Sequence, residues 1–380
     1  MIGKSAFRGL LAAAALVMAS LATAETGVTD GSITIGQSVP LSGPAQELGI
    51  EMQLGAKLYF DQINAQGGVH GRKIKLLSLD DGYEPDRATA NTRQLIDKND
   101  VFALFGYVGT PTSLAALQVS NPAGVPFFGA FTGAEALRLP FNRLVFNVRA
   151  SYGDETEKIV EQFTSLNVKR IAVFYQNDAY GKAGLSGVEK AMAKRNLQLV
   201  ATATVERNSS DVAAAVKTLI PAKPDMVVMV TTYKSSAAFI NAMRAAGSGA
   251  QFYTVSFVGS RALANELGPD GAGVGISQVV PFPWSRTLPV VRDYQKLLAA
   301  SGTGRDVSFT SLEGYIAAKV FVEGLRRAGK ELTRDKFISA MENLRNFDAG
   351  GFAVNFTPGN HNGSTFVELT IIRKDGSFLR

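Results

Sequence analysis

The chain has 380 residues, a formal net charge of +6, two histidines and no cysteine. The absence of cysteine excludes disulfides, thiolate catalysis and cysteine-based metal sites. Two of the positive charges are Lys4 and Arg8, there is no Lys/Arg block, and Asp and Glu are interleaved throughout, which is a solvated surface and not a nucleic-acid footprint.

The N-terminus reads as an export signal. Lys4 and Arg8 precede an apolar run from Gly9 to Ala22, and Ala22-Thr23-Ala24 fits the small-residue cleavage rule, so a signal peptide over 1–24 and a mature start at Glu25 are expected. The apolar run is shorter than the roughly 20 residues that a spanning helix needs. A periplasmic protein is expected.

Next, apolar β-branched runs of strand length recur at 32–39, 73–79, 101–105, 125–131, 170–176, 198–205, 225–231 and 251–257. Helical periods fill most gaps, at 50–65, 85–99, 110–121, 154–166, 180–196, 210–220 and 234–246. Leu54, Leu58 and Ile63 lie near one face of the first of these, and Ala88, Leu95 and Ile96 point inward on the second. Strand and helix in alternation predict mainly parallel sheets covered by helices on both faces. Two such series occur, with the change near 145–150, so the fold class is α/β with two doubly wound parallel-sheet lobes.

The last third departs from this alternation. A strand and a crossing segment fit 273–283, helices fit 287–300, 308–328 and 333–344, and strands fit 352–356 and 365–373 around a Pro-Gly-Asn-His-Asn-Gly turn at 358–363. The expected division is 25–146 with about 278–350 for lobe 1, and 147–277 with about 351–380 for lobe 2. Composition alone leaves the placement of these last elements open.

Catalytic constellations are thin. His70 and His361 both fall in glycine-rich turns and read as surface residues. No zinc-type histidine spacing and no Gly-x-Ser-x-Gly elbow occur. Gly271-Ala-Gly273-Val-Gly275 misses the dinucleotide fingerprint and reads as a loop before a strand. Tyr315 and Lys319 have a dehydrogenase-like spacing that on a helix only places them on one face. Asp80-Asp81 has the hard oxygens for a cation, but loop hydrogen bonds after a strand are the plainer use. Trp284 fits either a lobe crossing or a cleft wall. No cofactor and no metal are expected.

In open parallel sheets, ligands bind where the carboxyl ends of strands meet helix N-termini. The first series carries Ser42 after 32–39, Tyr107, Thr110, Thr112 and Ser113 after 101–105, and Thr132 after 125–131. The second carries Asp178 and Tyr180, then Thr232 and Tyr233, then Ser256 at its strand ends. Hydroxyls at helix starts cap helices by default. Their repetition on both series points to two rims facing a shared cleft, a preferred place for a small molecule.

Five blocks in order carry a resemblance: IGQSVPLSGPAQELG at 35–49, INAQGGVHGRKIKLLSLDD at 63–81, FGYVGTPTS at 105–113, DAYGKAG at 178–184, and NFTPGNHNG with DGSF at 355–378. Over essentially the whole mature chain the sequence resembles the type I periplasmic solute-binding proteins of the branched-chain amino acid (Leu/Ile/Val) ABC-transporter family. The resemblance implies two α/β lobes joined by three crossings that close on a ligand by hinge bending. It implies binding and delivery to an inner-membrane ABC permease by a monomer, with a small-molecule solute as the other partner and no catalysis. A periplasmic sensing subunit with the same fold is the alternative, and a secreted α/β enzyme is a third reading that lacks its constellation.

By the same resemblance, the ligand carboxylate is held by hydroxyls matching Thr110 and Thr132, and second-lobe tyrosines match Tyr180 and Tyr233. Two positions depart from the family. Ser256 stands where amino-acid binders have an acidic residue for the ligand ammonium, and Leu48 stands where a tyrosine is expected near Gln46–Gly49. The candidate ligand-binding set is Ser42, Leu48, Tyr107, Thr110, Thr112, Thr132, Tyr180, Tyr233 and Ser256. A buried ammonium without an anion costs several kcal/mol, so a carboxylate-bearing solute with no obligatory ammonium, such as an aromatic or aliphatic acid, is expected; an amide or an amino acid held differently, with Glu47 or Asp178 as the substitute anion, is the alternative.

Overall fold

The computed structural model describes residues 25–380, so the predicted signal peptide lies outside the described residues. The first lobe opens with β1 (Ser32–Val39), α1 (Gln46–Ala65), β2 (Lys73–Asp80), α2 (Pro85–Asp97), β3 (Ala103–Phe105), α3 (Thr110–Ser120), β4 (Phe127–Phe128) and β5 (Val145–Phe146). The chain then builds α4 (Tyr152–Ser165), β6 (Ile171–Gln176), α5 (Ala179–Ala193), β7 (Ala201–Val205), α6 (Ala213–Ala222), β8 (Met226–Val230), α7 (Tyr233–Ala245), β9 (Gln251–Thr254), α8 (Ser260–Leu267) and β10 (Gly275–Gln278). The final part contains α9 (Pro289–Ala300), α10 (Phe309–Ala328), α11 (Arg334–Glu342), a two-residue ribbon of β11 (Phe347–Asp348) and β12 (Ala353–Val354), then β13 (Glu368–Ile372) and β14 (Phe378–Leu379).

The first sheet runs β2-β1-β3-β4-β5 and its strands pair in parallel. The second repeats that order as β7-β6-β8-β9-β10, again in parallel, and adds β13 and β14 antiparallel at its edge. In this order the connections change side between the first and third strands of each series. That switch point opens a crevice at the carboxyl ends. It lies between β1 and β3 in one lobe and between β6 and β8 in the other.

The elements follow from their residues. Central strand β8 (MVVMV) is buried throughout, as a strand covered on both faces requires, whereas edge strand β2 is largely only half-buried. Helix α1 buries Leu48, Met52, Ala56, Tyr59 and Ile63, one stripe at three- to four-residue spacing. It ends at Gly67-Gly68, both at positive φ, where the Gly68 N–H donates back to the Ile63 carbonyl at 2.9 Å. Ser151 caps α4 in a reciprocal box with Asp154, and Asp178 caps α5. Strand β5 has two residues, too short for periodicity to reveal, and the sequence reading assigned no strand there.

The late helices pack on the first lobe. Helix α10 lies along α1 at a distance that only glycine permits: a Cβ at Gly55 would stand 1.8 Å from the Ser311 carbonyl oxygen, and one at Gly314 2.4 Å from that of Met52. Phe60, Phe105, Phe128 and Phe321 pack around this seam with centroids 5.2–6.4 Å apart. Each such ring contributes about 1.5–3 kcal/mol by burial. The closing strands join the second sheet, so the chain crosses between lobes after β5, after β10 and before β13.

One sequence expectation is corrected at these crossings. His361 is not a surface turn histidine: it is buried, stacked on Phe146 at 3.8 Å, with Nδ1 3.0 Å from the Val145 carbonyl oxygen. The third crossing runs against the first here, where Asn147 N–H donates to the His361 carbonyl at 2.9 Å and Gly363 N–H to that of Asn147 at 2.7 Å. His70 does lie exposed in its turn. Trp284 packs at a crossing, between Phe309 of α10 and Phe378 of β14. Among the described residues no helix is long and apolar enough to cross a membrane.

Candidate functional site

The two rims meet. Gly109, at φ 99°, ends the loop after β3, and a Cβ there would lie 2.2 Å from the Tyr83 ring, so only glycine lets the loop turn into α3. Thr110 opens α3 with Pro111 behind it. Its hydroxyl lies 2.7 Å from that of Thr132, in the loop after β4. Thr132 in turn donates to the Tyr152 hydroxyl at 3.1 Å. Tyr152 packs with tilted rings at 5.4 Å against Tyr180, which the Asp178 cap positions at the start of α5. Burial raises the Tyr152 and Tyr180 phenols above their ordinary range, so both remain hydroxyls at neutral pH.

Phe257 closes the centre. It follows β9 in a short 3-10 turn at Ser256–Val258 and is fully buried between the lobes. Its ring lies 5.2 Å from Phe131 and 6.0 Å from Tyr83 of the first lobe, and 4.6 Å from Tyr180 of its own. Around it, Gln176 Nε2 donates to the Tyr83 hydroxyl at 3.3 Å, and Leu48 of α1 packs on Gly259. The rim is fastened by Arg207 and Asn208, which follow β7. Arg207 pairs with Glu84 at 3.0 Å, and Asn208 donates to Glu84 at 2.7 Å and to the Gly82 carbonyl at 3.1 Å.

Ser256 sits on a buried charge cluster. Glu155 of α4 accepts the Ser256 N–H at 2.8 Å, the Ser256 hydroxyl at 3.0 Å, the Ser277 hydroxyl at 2.6 Å and Arg149 Nη2 at 2.9 Å. Arg149, just past β5, also contacts the Ser256 hydroxyl. Its Nη1 stands 3.3 Å from Glu313 of α10. Burial works against the Arg149 charge, and Glu313 and Glu155 more than offset it, so Arg149 stays protonated. Burial pushes the Glu313 carboxyl up to about 7 against the pull of Arg149.

The remaining sequence candidates are placed differently. Ser42 is exposed, and its hydroxyl donates to Asp80 at 2.6 Å. Tyr107 turns into the first lobe, 3.0 Å from the Thr92 hydroxyl and 5.0 Å from the Phe127 ring. Thr112 bonds back to the carbonyls of Val108 and Gly109 within its own helix start. Tyr233 begins α7, and its hydroxyl accepts the Glu47 N–H at 3.5 Å across the lobes. It also lines a cavity of about 360 Å³ at the cleft mouth, with Glu47, Glu51, Gly259 and Arg305. Glu47 itself is engaged by Arg305 at 2.5 Å, and Asp178 by its own cap. Asp80 and Asp81 make loop hydrogen bonds: Asp80 takes the N–H groups of Leu41, Ser42 and Gly82, and Asp81 takes the Ser38 hydroxyl and the Tyr83 N–H. Among the described residues no group of three His, Asp or Glu is placed to hold a metal ion.

Tyr83, Arg149, Tyr152, Glu155 and Phe257 were not singled out as site residues from the sequence. The strand-end rule itself points to Arg149, a charged residue within three positions of a strand end, but β5 was too short to see. Tyr152 and Glu155 share one face at i, i+3 on the first turn of α4, immediately past that hidden strand.

Comparison with known proteins agrees with this architecture. The family model described as periplasmic binding protein matches residues 32–377. The Leu/Ile/Val-binding protein homolog 7 of Brucella abortus is 26% identical over 370 residues, 91% of each chain. A crystal structure of a possible leucine/isoleucine/valine-binding protein from Rhodopirellula baltica superposes with a TM-score of 0.88 at 36% identity, covering 93% of this chain and 97% of that one. A substrate-binding periplasmic protein from Ralstonia solanacearum superposes with a TM-score of 0.86 at 34% identity, covering 91% and 99%. The chain belongs to the type I periplasmic binding proteins, in the Leu/Ile/Val-binding family. It is a solute-binding protein of the periplasmic binding protein type.

Proposed function

We propose that this protein is the receptor of an ABC importer, capturing a small carboxylate-bearing solute between its lobes by hinge closure and delivering it as a monomer to an inner-membrane permease. Its role is binding and release, with no chemical step. The Brucella relatives carry a Leu/Ile/Val-binding name, and the solute here differs from an amino acid in needing no ammonium. The observation that carries this reading is the state of Glu155. It is the carboxylate on Ser256, and its four acceptor positions are taken by Ser256, Ser277 and Arg149. A ligand ammonium brought to Ser256 finds the acceptor positions of Glu155 already filled and bears a desolvation cost of several kcal/mol there. The hydroxyls of Thr110, Thr132 and Tyr152 suit a carboxylate instead.

Isothermal titration with a panel of amino acids and simple organic acids tests the reading. Heat from at least one aliphatic or aromatic acid, with leucine silent, is expected. Tight leucine binding with no response to any acid overturns it.

A further inference from the structure

Arg149 is a fully buried cation with unmade hydrogen bonds. Its Nη2 is engaged by Glu155 and Ser256, but Nη1 meets Glu313 off hydrogen-bond geometry, and neither Nε nor Nη1 has a partner among the described residues. Unpaired donors on a buried charge are costly and rarely retained without use. The guanidinium lies 5.1 Å from the Phe131 ring centroid and 5.9 Å from that of Tyr152, the same Tyr152 that takes the Thr132 hydroxyl. It is therefore one ring away from the hydroxyl pair, at the crossing on which the lobes turn.

The charges around it do not balance. Tyr152 and Glu155 face it from α4, Glu313 from α10, Ser256 from the turn after β9, and Ser277 reaches Glu155 from β10. Arg138 donates to the carbonyls of Arg149 and Ala150 and draws its main opposite-charge support from Glu135. One guanidinium thus answers two buried carboxylates. An entering anion would add a third negative charge unless a proton came with it.

We propose that Arg149 is the charge partner of the solute's carboxylate, received on the nitrogens its own chain leaves free, and that the solute binds together with one proton held on Glu313. Uptake of an anion and a proton leaves the net buried charge unchanged, and a protonated Glu313 becomes an O–H donor toward the anion. The position of its carboxyl, near 7 through burial, makes the proton available at periplasmic pH. The inference rests on the reading that the cleft takes a carboxylate.

The test is calorimetry of the mature chain with hexanoate, benzoate and succinate between pH 6 and 9, in buffers of different ionisation enthalpy. At about pH 8–9 the wild type takes up close to one proton per acid bound, with the uptake falling away below pH 7 where Glu313 already holds its proton, and its Kd rises by up to about tenfold per pH unit above 7. Glu313→Gln abolishes the uptake and flattens the pH profile. Arg149→Lys weakens the acid at least tenfold at pH 6 with its thermal transition retained; if that variant does not fold, the Glu313→Gln profile decides. An acid that binds at about pH 8–9 without proton uptake, or a Glu313→Gln profile as steep as the wild type's, overturns the inference and leaves the carboxylate reading standing. If none of the three acids binds, the carboxylate reading itself fails and the inference with it.

Discussion

The two lobes share one strand order and differ in what they place at its carboxyl end. The first presents small hydroxyls, Thr110 and Thr132, bonded to each other at 2.7 Å. The second presents rings, Tyr180 and Phe257, and a serine that rests on a buried carboxylate. Under the proposed function, the repeated scaffold sets where a ligand meets the protein, and the unlike rims set which ligand it is. On that proposal, hydroxyls on one side give orientation, rings on the other give area and exclude water, and Arg149, Glu155 and Glu313 form a buried charge cluster beside them.

That contrast can be broken from either side. Phe257→Ala removes the ring that seals the rims and is expected to cost about 3–5 kcal/mol, read as a lowered thermal midpoint. Retention of the wild-type midpoint would show that the rims do not meet on this ring.

Asp81, beside the hydroxyl rim, gives the pH arm. Burial pushes it up to about 6 from the ordinary 3.8. A carboxyl raised on folding contributes stability that is full below 3.8 and is lost as pH rises through 6, at most about 3 kcal/mol. Asp81→Asn removes that loss, so its thermal midpoint gains on the wild type between pH 4 and 6. A gap that does not change with pH would contradict the assignment.

Thr132→Val takes the hub out of the hydroxyl chain and leaves the Tyr152 and Thr110 hydroxyls with one partner fewer. A loss of about 1–3 kcal/mol is expected, in ligand affinity as well as in thermal midpoint. The Arg207–Glu84 clasp is partly exposed, so Arg207→Ala should shift closure by under about 1 kcal/mol. Small-angle scattering would register a slightly larger radius of gyration. Ser42→Ala should leave affinity within error, because that hydroxyl serves Asp80 and not the cleft.

Much of the scaffold was legible because its signals are local: alternation of strand and helix, caps at Ser151 and Asp178, the Gly67-Gly68 stop. Within the candidate site, Thr110 and Thr132 were legible by the same logic, as hydroxyls at strand ends. Ser42, Tyr107 and Thr112 look identical in sequence, yet side-chain direction turns them to Asp80, Thr92 and their own helix start. Arg149 and Glu155 were missed because β5 has two residues and gives no periodic signal. His361 read as exposed because turn composition says nothing of a ring that stacks on a neighbouring crossing.

The most direct measurement of the central claim is native mass spectrometry of the protein as purified, with the released solute identified after denaturation. A small acid without an amine, bound one per chain, is expected. Release of leucine or another α-amino acid would contradict it.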